Sequence, residues 1–276
     1  MKYALIAFDL DGTALYSDKT IAARTLRALQ AAHEAGALIV PATGRIYAGI
    51  PQALRLQPFA RYAIVINGAK LYDAAEDQVL DRAEIPNALA LEVLDYLDGL
   101  DAIYDCYKDD WGLVSQPFYD RAADFIRDKG ILQLFYRTRR TVPSLRDYLR
   151  ADGGSVQKLQ LHFADDRAQR RELARLPELF PSLAVSTSVP GNIEMNIAAA
   201  NKGDALLRLC QFLEIPPERT LAFGDGTNDS SMLRAAGLGV AMGNADFTVK
   251  AAADTVCDDN DHDGLAKFLE RLLAET

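Results

Sequence analysis

The feature that most constrains the fold is an unbroken apolar segment near the start of the chain, Tyr3 to Phe8, which runs directly into Asp9. A continuous apolar run is typical of a strand buried on both faces of a parallel sheet, whereas a half-exposed strand alternates apolar and polar residues. We therefore expect the chain to begin with an interior strand of a sheet that carries helices on both faces.

The segments that follow alternate between helix and strand signals. Thr20 is a plausible cap for a helix that ends near Gly36, and Ala37 to Val40 predicts a second strand. A further helix is expected around Ile46 to Leu56, and a third strand at Tyr62 to Ile66. This alternation predicts a doubly wound, mostly parallel α/β core.

The middle of the chain has a different pattern of apolar and polar residues. From about residue 84 to residue 189 the periodic segments are shorter and more mixed, which predicts an inserted α+β domain. The helix–strand alternation then returns, with a helix at Lys202 to Leu213 and a strand at Thr220 to Phe223. We therefore expect a discontinuous core, residues 1–83 and 190–276, interrupted by an insert at 84–189.

Composition and charge exclude several classes of protein. The 276-residue chain carries a formal net charge of −9, which argues against nucleic-acid and anionic-membrane partners, because both depend on clustered Lys and Arg. No apolar run approaches the roughly 20 residues of a membrane span, and the first run is too short for a signal peptide. The three cysteines form no metal-binding or disulfide pattern, which indicates a reducing compartment. We expect a cytoplasmic protein that is a monomer or a weak homodimer.

Two carboxylates follow the first strand, in Asp9-Leu10-Asp11-Gly12-Thr13. Side chains two residues apart in an extended segment point the same way. Asp9 and Asp11 should therefore leave the sheet together at the carboxyl end of the strand, where open α/β sheets bind ligands. Gly12 lets the backbone turn closely around a ligand. The alternative is a polar turn that only ends a strand.

Weaker signals follow the next two strands. Thr43-Gly44-Arg45 comes after the second strand, and a hydroxyl with free amides at a strand-to-helix junction suits phosphate oxygens. Asn67-Gly68 comes after the third strand, but this dipeptide is also an ordinary hairpin signal.

An acidic segment, Gly224-Asp225-Gly226-Thr227-Asn228-Asp229, follows a later buried strand. Two carboxylates four residues apart and flanked by glycines fit a site for a hard cation with oxygen ligands. Asp229 can equally cap the helix that begins there. The Gly-x-Gly resembles the start of a dinucleotide fingerprint, but the third glycine is missing.

Lys202 stands at the onset of a helix, where the helix dipole disfavours a positive charge, and this favours a second role for it. The alternative is a solvated surface lysine. His33, His162 and His262 share no spacing with each other or with a cysteine, so no serine–histidine triad is predicted.

In this order the motifs resemble the four motifs of the haloacid dehalogenase (HAD) superfamily of phosphatases: Asp9-x-Asp11-Gly12-Thr13, Thr43-Gly44-Arg45, Lys202 and Gly224-Asp225-x-x-Asn228-Asp229. The tail Val240-Ala241-Met242-Gly243-Asn244-Ala245, with Asp261-His262-Asp263-Gly264 after it, resembles the Cof-type sugar-phosphatase branch. The insert lies between the second motif and Lys202, where that branch carries its α/β cap. Ala14 departs from the family, which usually has a bulkier apolar residue there.

The resemblance implies a hydrolase of phosphomonoesters that acts on a small phosphorylated metabolite, a sugar phosphate in the first place. Asp9 would attack phosphorus and form an aspartyl-phosphate. Asp11 would protonate the leaving alcohol and then take a proton from water, a double role that needs a raised pKa. The expected phosphate or substrate ligands are Gly12, Thr43, Gly44, Arg45, Asn67, Lys202 and Asn228.

A magnesium ion is expected on electrostatic grounds as well. Two like charges 4 Å apart repel by about 4 kcal/mol at an effective dielectric constant near 20. A dianionic phosphate beside Asp9 and Asp225 would meet several such repulsions, more than Lys202 could cancel. The resemblance implies that Mg²⁺ is bound by Asp9, Asp225 and the main-chain carbonyl of Asp11, with Asp229 acting directly or through water.

Three other functions are weighed against a phosphatase. A phosphomutase of the same superfamily has similar motifs, but its cap usually follows the first motif, whereas only one helix and one strand fit between Asp11 and Thr43, so a phosphatase is preferred. A dehalogenase needs neither Mg²⁺ nor Asp11, so the second aspartate and the acidic segment argue against it. A non-catalytic binding module could keep the phosphate or magnesium site without turnover.

Overall fold

The structure, a computed structural model, is built from short strands and helices that fall into three segments of the chain. The first segment contains β1 (Leu5–Phe8), α1 (Ala23–Glu34), β2 (Leu38–Pro41), α2 (Gln52–Arg55), β3 (Tyr62–Val65), β4 (Lys70–Asp73) and β5 (Gln78–Arg82). The middle segment contains α3 (Asn87–Leu97), β6 (Ile103–Lys108), β7 (Trp111–Ser115), α4 (Gln116–Asp120), α5 (Ala122–Phe125), α6 (Lys129–Thr138), β8 (Arg139–Val142), α7 (Leu145–Asp152), β9 (Lys158–His162), α8 (Asp166–Leu179), β10 (Leu183–Ser186) and β11 (Asn192–Ile197). The last segment contains α9 (Lys202–Phe212), β12 (Thr220–Gly224), α10 (Ser230–Ala235), β13 (Leu238–Ala241), α11 (Phe247–Lys250), β14 (Thr255–Val256) and α12 (Gly264–Ala274).

The chain divides into two compact units. The first unit is Met1–Arg82 together with Ala199–Thr276, and the second is Ala83–Ala198. The structure describes residues 2–187 and 189–275. Met1, Ser188 and Thr276, which the predicted domain ranges include, lie outside the described residues.

In the first unit, β1 is an interior strand, as its apolar run predicts. The strand order is β14-β13-β12-β1-β2, and each neighbouring pair is parallel. Every residue of β1 is buried, because β12 and β2 pair with its two edges and apolar residues pack on the sheet. Beyond β2, a parallel bridge between Ala42 and Ile64 leads to the antiparallel ribbon β3-β4-β5. The predicted mostly parallel α/β core is confirmed.

In the second unit, the sheet has the order β10-β11-β9-β6-β7-β8, and every neighbouring pair is antiparallel except β7 with β8. The side chains of β9 lie alternately on the two faces of the sheet, because successive side chains of a strand point in opposite directions. Leu159 and Leu161 join the apolar cluster that contains residues of α3, α7 and α8. Lys158, Gln160 and His162 lie on the opposite face, where they are buried as well. The predicted α+β insert is thus an antiparallel sheet with helices.

The end of the insert differs from the expected boundary. The core was expected to resume at residue 190, whereas the second unit extends to Ala198. The reason is β11, which pairs with β9 on one side and with β10 on the other. Its alternating sequence Asn192-Ile193-Glu194-Met195 is that of a half-polar strand, and nothing local in it identifies its partners.

Two local expectations in the first unit are wrong. Helix α1 begins at Ala23 after Ala22 and has no side-chain cap, and Thr20 instead donates its hydroxyl to Asp18. The expected helix from Ile46 to Leu56 is replaced by a short 3₁₀ turn and α2. Pro51 lies inside that range, and proline has no N–H to continue a helix.

Cys106, Cys210 and Cys257 are all buried and free. Within residues 2–187 and 189–275, no helix combines the length and the apolarity needed to cross a membrane.

Candidate active site

The loop after β1 brings its carboxylates against the loop after β12, because β1 and β12 are neighbouring parallel strands. Asp9 is 6% exposed, and its main-chain N–H donates to Phe223. Gly12 has φ +83°, and a Cβ there would stand 2.2 Å from Oδ2 of Asp225. Glycine is therefore required both by the left-handed backbone and by the close approach of Asp225. The hydroxyl of Thr13 donates to Oδ1 of Asp225 over 2.8 Å.

Asp229 organises the loop after β12. Its Oδ2 accepts hydrogen bonds from the main-chain N–H of Asp225, at 3.0 Å, and of Gly226, at 2.8 Å. The carboxylate therefore turns back into its own loop. It makes no cap hydrogen bond to α10, so the capping role suggested for it is not found.

Lys202, the first residue of α9, is completely buried. Its Nζ lies 2.6 Å from Oδ1 of Asp9 and 2.5 Å from Oδ1 of Asp229. The alternative of a solvated surface lysine is therefore wrong. A buried ammonium needs anionic partners, and here it joins the loops after β1 and β12.

Asp9, Asp225 and Asp229 each offer one carboxylate oxygen, and these three oxygens lie within 4.8 Å of one another. Three carboxylates face the single positive charge of Lys202. Burial, opposed by Lys202, raises the pKa of Asp9 to about 8, and burial likewise raises the pKa of Asp225 to about 6. Crowded buried carboxylates of this kind are stabilised by a hard divalent cation, which prefers oxygen ligands. The donor set thus fits the metal that the sequence predicts.

Asp11 has surroundings that the sequence does not predict. Arg45 binds its carboxylate in a bidentate manner, Nε to Oδ2 and Nη2 to Oδ1, both at 2.7 Å. Lys19 approaches Oδ1 at 3.0 Å. Burial alone would raise the pKa of Asp11, but hydrogen bonds and charge from Arg45 and Lys19 outweigh it and lower this pKa. The expectation of a raised pKa is wrong, because pairing with two cations outweighs burial.

Arg45 is held by protein groups on all three nitrogens of its guanidinium. Besides Nε and Nη2, which bind Asp11, Nη1 donates to the main-chain oxygen of Gly49 at 2.8 Å. The role of Arg45 in binding phosphate stays a prediction.

The remaining expected phosphate ligands lie in the three loops that follow β2, β3 and β12. Thr43 is buried, and its Oγ1 accepts from the main-chain N–H of Arg45. A Cβ on Gly44 would stand 2.9 Å from Oδ1 of Asn67, and the same oxygen accepts from Nδ2 of Asn228 at 3.1 Å. Asn67 thus lies against the loops of Gly44 and Asn228, and it also lies in the turn that joins the antiparallel strands β3 and β4. The hairpin interpretation of Asn67 is confirmed, and its role as a phosphate or substrate ligand stays a prediction.

Asn244 and Lys19 are neighbours of the site that sequence reasoning did not single out. The Nδ2 of Asn244 donates to the main-chain oxygen of Gly12 at 2.9 Å and to Oδ2 of Asp225 at 3.2 Å. Asn244 lies in the tail segment that resembles the Cof-type branch. That resemblance was the feature of the sequence that could have identified Asn244 as a residue near the site. Lys19 carried no sequence signal.

Comparison with known proteins agrees with this geometry. Residues 6–269 match the family of haloacid dehalogenase-like hydrolases. The pyridoxal phosphate phosphatase YbhA of Escherichia coli is 32% identical, over 98% of this chain and 98% of its own. Phosphatase YwpJ of Bacillus subtilis is 30% identical, over 98% of this chain and 99% of its own. The solved structure of BT4131, a sugar phosphatase of HAD subclass IIB, has a TM-score of 0.80 at 26% identity, covering 97% of this chain and 98% of that one.

The fold, the ordered motifs and the full-length matches define a phosphatase of the HAD superfamily. The chain belongs to the haloacid dehalogenase-like hydrolase family. The predicted enzyme class, a phosphatase, is confirmed by relatives that span nearly the whole chain. Two of the similar proteins, a pyridoxal phosphate phosphatase and a sugar phosphatase, act on small phosphorylated metabolites.

Proposed function

We propose that this chain is a magnesium-dependent phosphomonoester hydrolase that works through an aspartyl-phosphate on Asp9, with a sugar phosphate as the most favoured substrate. The observation that carries the proposal is the environment of Asp9. Its buried carboxylate contacts the buried Lys202 and forms a candidate metal-binding group with Asp225 and Asp229.

Asp9 supplies the nucleophile. Its Oδ1 is held by Lys202, and among the described residues Oδ2 accepts no hydrogen bond, which leaves Oδ2 as the attacking oxygen. In the first step a bond forms between Oδ2 and phosphorus, and the bond from phosphorus to the alcohol oxygen breaks. In the second step water attacks phosphorus, and the bond to Asp9 breaks to release inorganic phosphate.

Asp11 is the proton carrier of this proposal. In the first step it gives a proton to the leaving alcohol oxygen, and in the second it takes a proton from the attacking water. Arg45 and Lys19 favour the carboxylate form of Asp11, which is the form that the second step requires. Proton donation in the first step therefore requires that substrate binding weaken the bidentate contact with Arg45.

The metal site belongs to the same residues. Asp9, Asp225 and Asp229 would hold Mg²⁺ through carboxylate oxygens, and Thr13 and Asn244 brace Asp225 in place. When bound, the ion neutralises charge on the phosphate and the surrounding carboxylates. Lys202 adds a positive charge beside Asp9, close to where a phosphate bonded to Asp9 would lie.

The substrate class rests on the relatives. One relative acts on pyridoxal phosphate and another is a sugar phosphatase. The substrates of both are phosphomonoesters of small polar molecules. We propose the sugar phosphates first because the tail motif resembles the Cof-type branch. A screen of phosphorylated sugars, cofactors and nucleoside monophosphates, ranked by kcat/KM, tests this part separately from the chemistry.

The test of the mechanism is release of phosphate from an aryl phosphate, with and without Mg²⁺, by the wild type and by Asp9→Asn. We expect metal-dependent turnover that Asp9→Asn abolishes, while the exposed control Asp101→Asn retains it. Acid-quenched wild type should carry a phosphoryl group on the peptide that contains Asp9. Undiminished hydrolysis by Asp9→Asn would refute the mechanism. Binding without any turnover would favour a binding module, and transfer to a second sugar hydroxyl would favour a phosphomutase.

A further inference from the structure

We propose that Lys19 is a positioning residue of the phosphatase reaction, which holds the carboxylate of Asp11 in the orientation needed for proton transfer. This inference rests on the proposed function, because it assigns a task to a neighbour of the proton carrier. It concerns a residue outside the four sequence motifs.

The contacts of Asp11 divide between two cations from different parts of the chain. Arg45 approaches both carboxylate oxygens at 2.7 Å, which fixes the plane of the carboxylate. Lys19 approaches Oδ1 alone, at 3.0 Å. If proton transfer loosens the contact with Arg45, the ammonium of Lys19 is the remaining group that keeps Oδ1 in place.

The chain places Lys19 at this point through a tight turn. Lys19 has φ +68°, in the left-handed region that is unfavourable for a residue with a Cβ. Its main-chain N–H donates to Tyr16, whose own N–H donates to Thr20. A residue persists in this conformation when its surroundings over-determine it, and such positions cluster at functional sites.

The base of the turn is tied to the loop before α12. The hydroxyl of Tyr16 donates to Oδ1 of Asp263 at 2.5 Å. Ser17 donates to Asp261 from both its main-chain N–H, at 2.8 Å, and its hydroxyl, at 2.6 Å. These bonds fix the backbone from which the Lys19 side chain extends, and the fixed backbone orients this side chain toward Asp11.

The exposure of Lys19 and Asp11 distinguishes a role in positioning Asp11 from a role in stabilising the fold. The side chain of Lys19 is 59% exposed, and that of Asp11 is 39% exposed. Exposed ion pairs contribute little to stability, because water screens the charges and the long side chains lose conformational freedom. Loss of the Lys19 ammonium should therefore leave the fold intact and act on Asp11 alone.

The test compares two substrates with different leaving groups. An alkyl phosphate needs a proton on its leaving oxygen, whereas an aryl phosphate with an acidic phenol leaves with little help. The measured quantity is the single-turnover rate of the first step, release of the alcohol or the phenol, because the second step is the same for both substrates. For Lys19→Met we expect this rate with the alkyl phosphate to fall by about tenfold, a part of the 10²–10⁴-fold that a general acid or base contributes. With the aryl phosphate we expect it to change by less than about twofold, and the substrate concentration that gives half of the maximal rate should be unchanged for both substrates.

Three further variants isolate the cause. Lys19→Gly removes the ammonium and relieves the backbone strain, so it should show the same selective loss as Lys19→Met. Lys19→Arg keeps a cation and should restore most of the alkyl phosphatase activity. The matched control is Lys267→Met, which removes another exposed Lys–Asp pair, Nζ to Asp258 at 2.8 Å, and should match the wild type with both substrates.

Several outcomes overturn the proposal. An equal loss of the first-step rate with both substrates indicates general damage to the site. A higher half-saturating substrate concentration with an unchanged maximal first-step rate indicates that Lys19 binds phosphate. Unchanged kinetics with both substrates leave Lys19 without a role. Each of these results removes the Lys19 proposal alone when Asp9→Asn remains inactive, whereas turnover by Asp9→Asn removes the proposed mechanism as well.

Discussion

Acid should destabilise the second unit through His162, the last residue of β9. The ring is 3% exposed, packs edge-on against Phe135 at 5.8 Å, and has its Nε2 3.9 Å from Oδ2 of Asp105. Burial first, and the positive charges of Arg139 and Lys158 next, lower the pKa of His162 to about 3, against the opposing effect of Glu194. The group is therefore buried neutral in the folded protein.

The sign and size of the effect follow from linkage. In the unfolded chain the pKa of the ring is near 6.5, so between pH 6.5 and about 3 the unfolded state binds a proton that the folded state does not. Stability must then fall as the pH falls through this window, by up to about 1.4 kcal/mol per pH unit. From about pH 7 to about pH 5.5 the loss from His162 amounts to about 1.3 kcal/mol.

The assay is urea unfolding at the two pH values for the wild type and for His162→Gln. The fluorescence of Trp111, the single tryptophan, reports on the second unit in which it lies. The raised pKa values of Asp9 and Asp225 make the free energy of unfolding rise as the pH falls, which opposes the effect of His162. The wild type and the variant both carry Asp9 and Asp225, so this contribution cancels when their changes in stability are subtracted. The variant should therefore lose about 1.3 kcal/mol less than the wild type between the two conditions.

A matched control is His262→Gln, at a ring whose side chain is 73% exposed. It should keep the pH dependence of the wild type. The reasoning is refuted if His162→Gln shows the same pH dependence as the wild type, or if the ring of His162 titrates near pH 6.5 by NMR.

Three further substitutions test the metal site and the buried polar side chains on the sheet of the second unit. Glu194→Gln leaves Lys158, its partner at 3.1 Å, as an unpaired buried cation, and urea unfolding should show a loss of about 3 kcal/mol. Gly112→Ala places a Cβ 2.3 Å from Cδ of Arg139, so the free energy of unfolding should fall by about 1–3 kcal/mol. Asp225→Asn should weaken Mg²⁺ binding by at least about tenfold in calorimetry, because it removes one of the three clustered carboxylates.

Much of the site was predictable because its residues sit at strand ends. Asp9, Thr43 and Asp225 follow β1, β2 and β12, which are neighbours in one parallel sheet. Parallel strands end at a common edge, so polar residues directly after buried strands must lie near one another. The apolar run from Tyr3 to Phe8 therefore predicted the layout of the core and the place of the chemistry together.

The partners of individual side chains were not predictable in the same way. Asp11 follows the same strand as Asp9, yet Asp9 contacts Lys202 while Asp11 contacts Arg45 and Lys19. Which cation reaches which carboxylate depends on loop backbones, such as the left-handed Lys19, and loop conformation has no periodic signal in the sequence.

What the sequence determined by itself is the class of fold and the identity of the residues that meet at the sheet edge, because buried strands and glycine-flanked aspartates are local patterns. Tertiary structure alone decided that β11 joins the second unit and that Lys202 is buried between Asp9 and Asp229. It also decided that His162 is enclosed beside Asp105. The physical reason is that strand pairing and charge burial are settled between segments far apart in the chain, where the free energy depends on which surfaces finally meet.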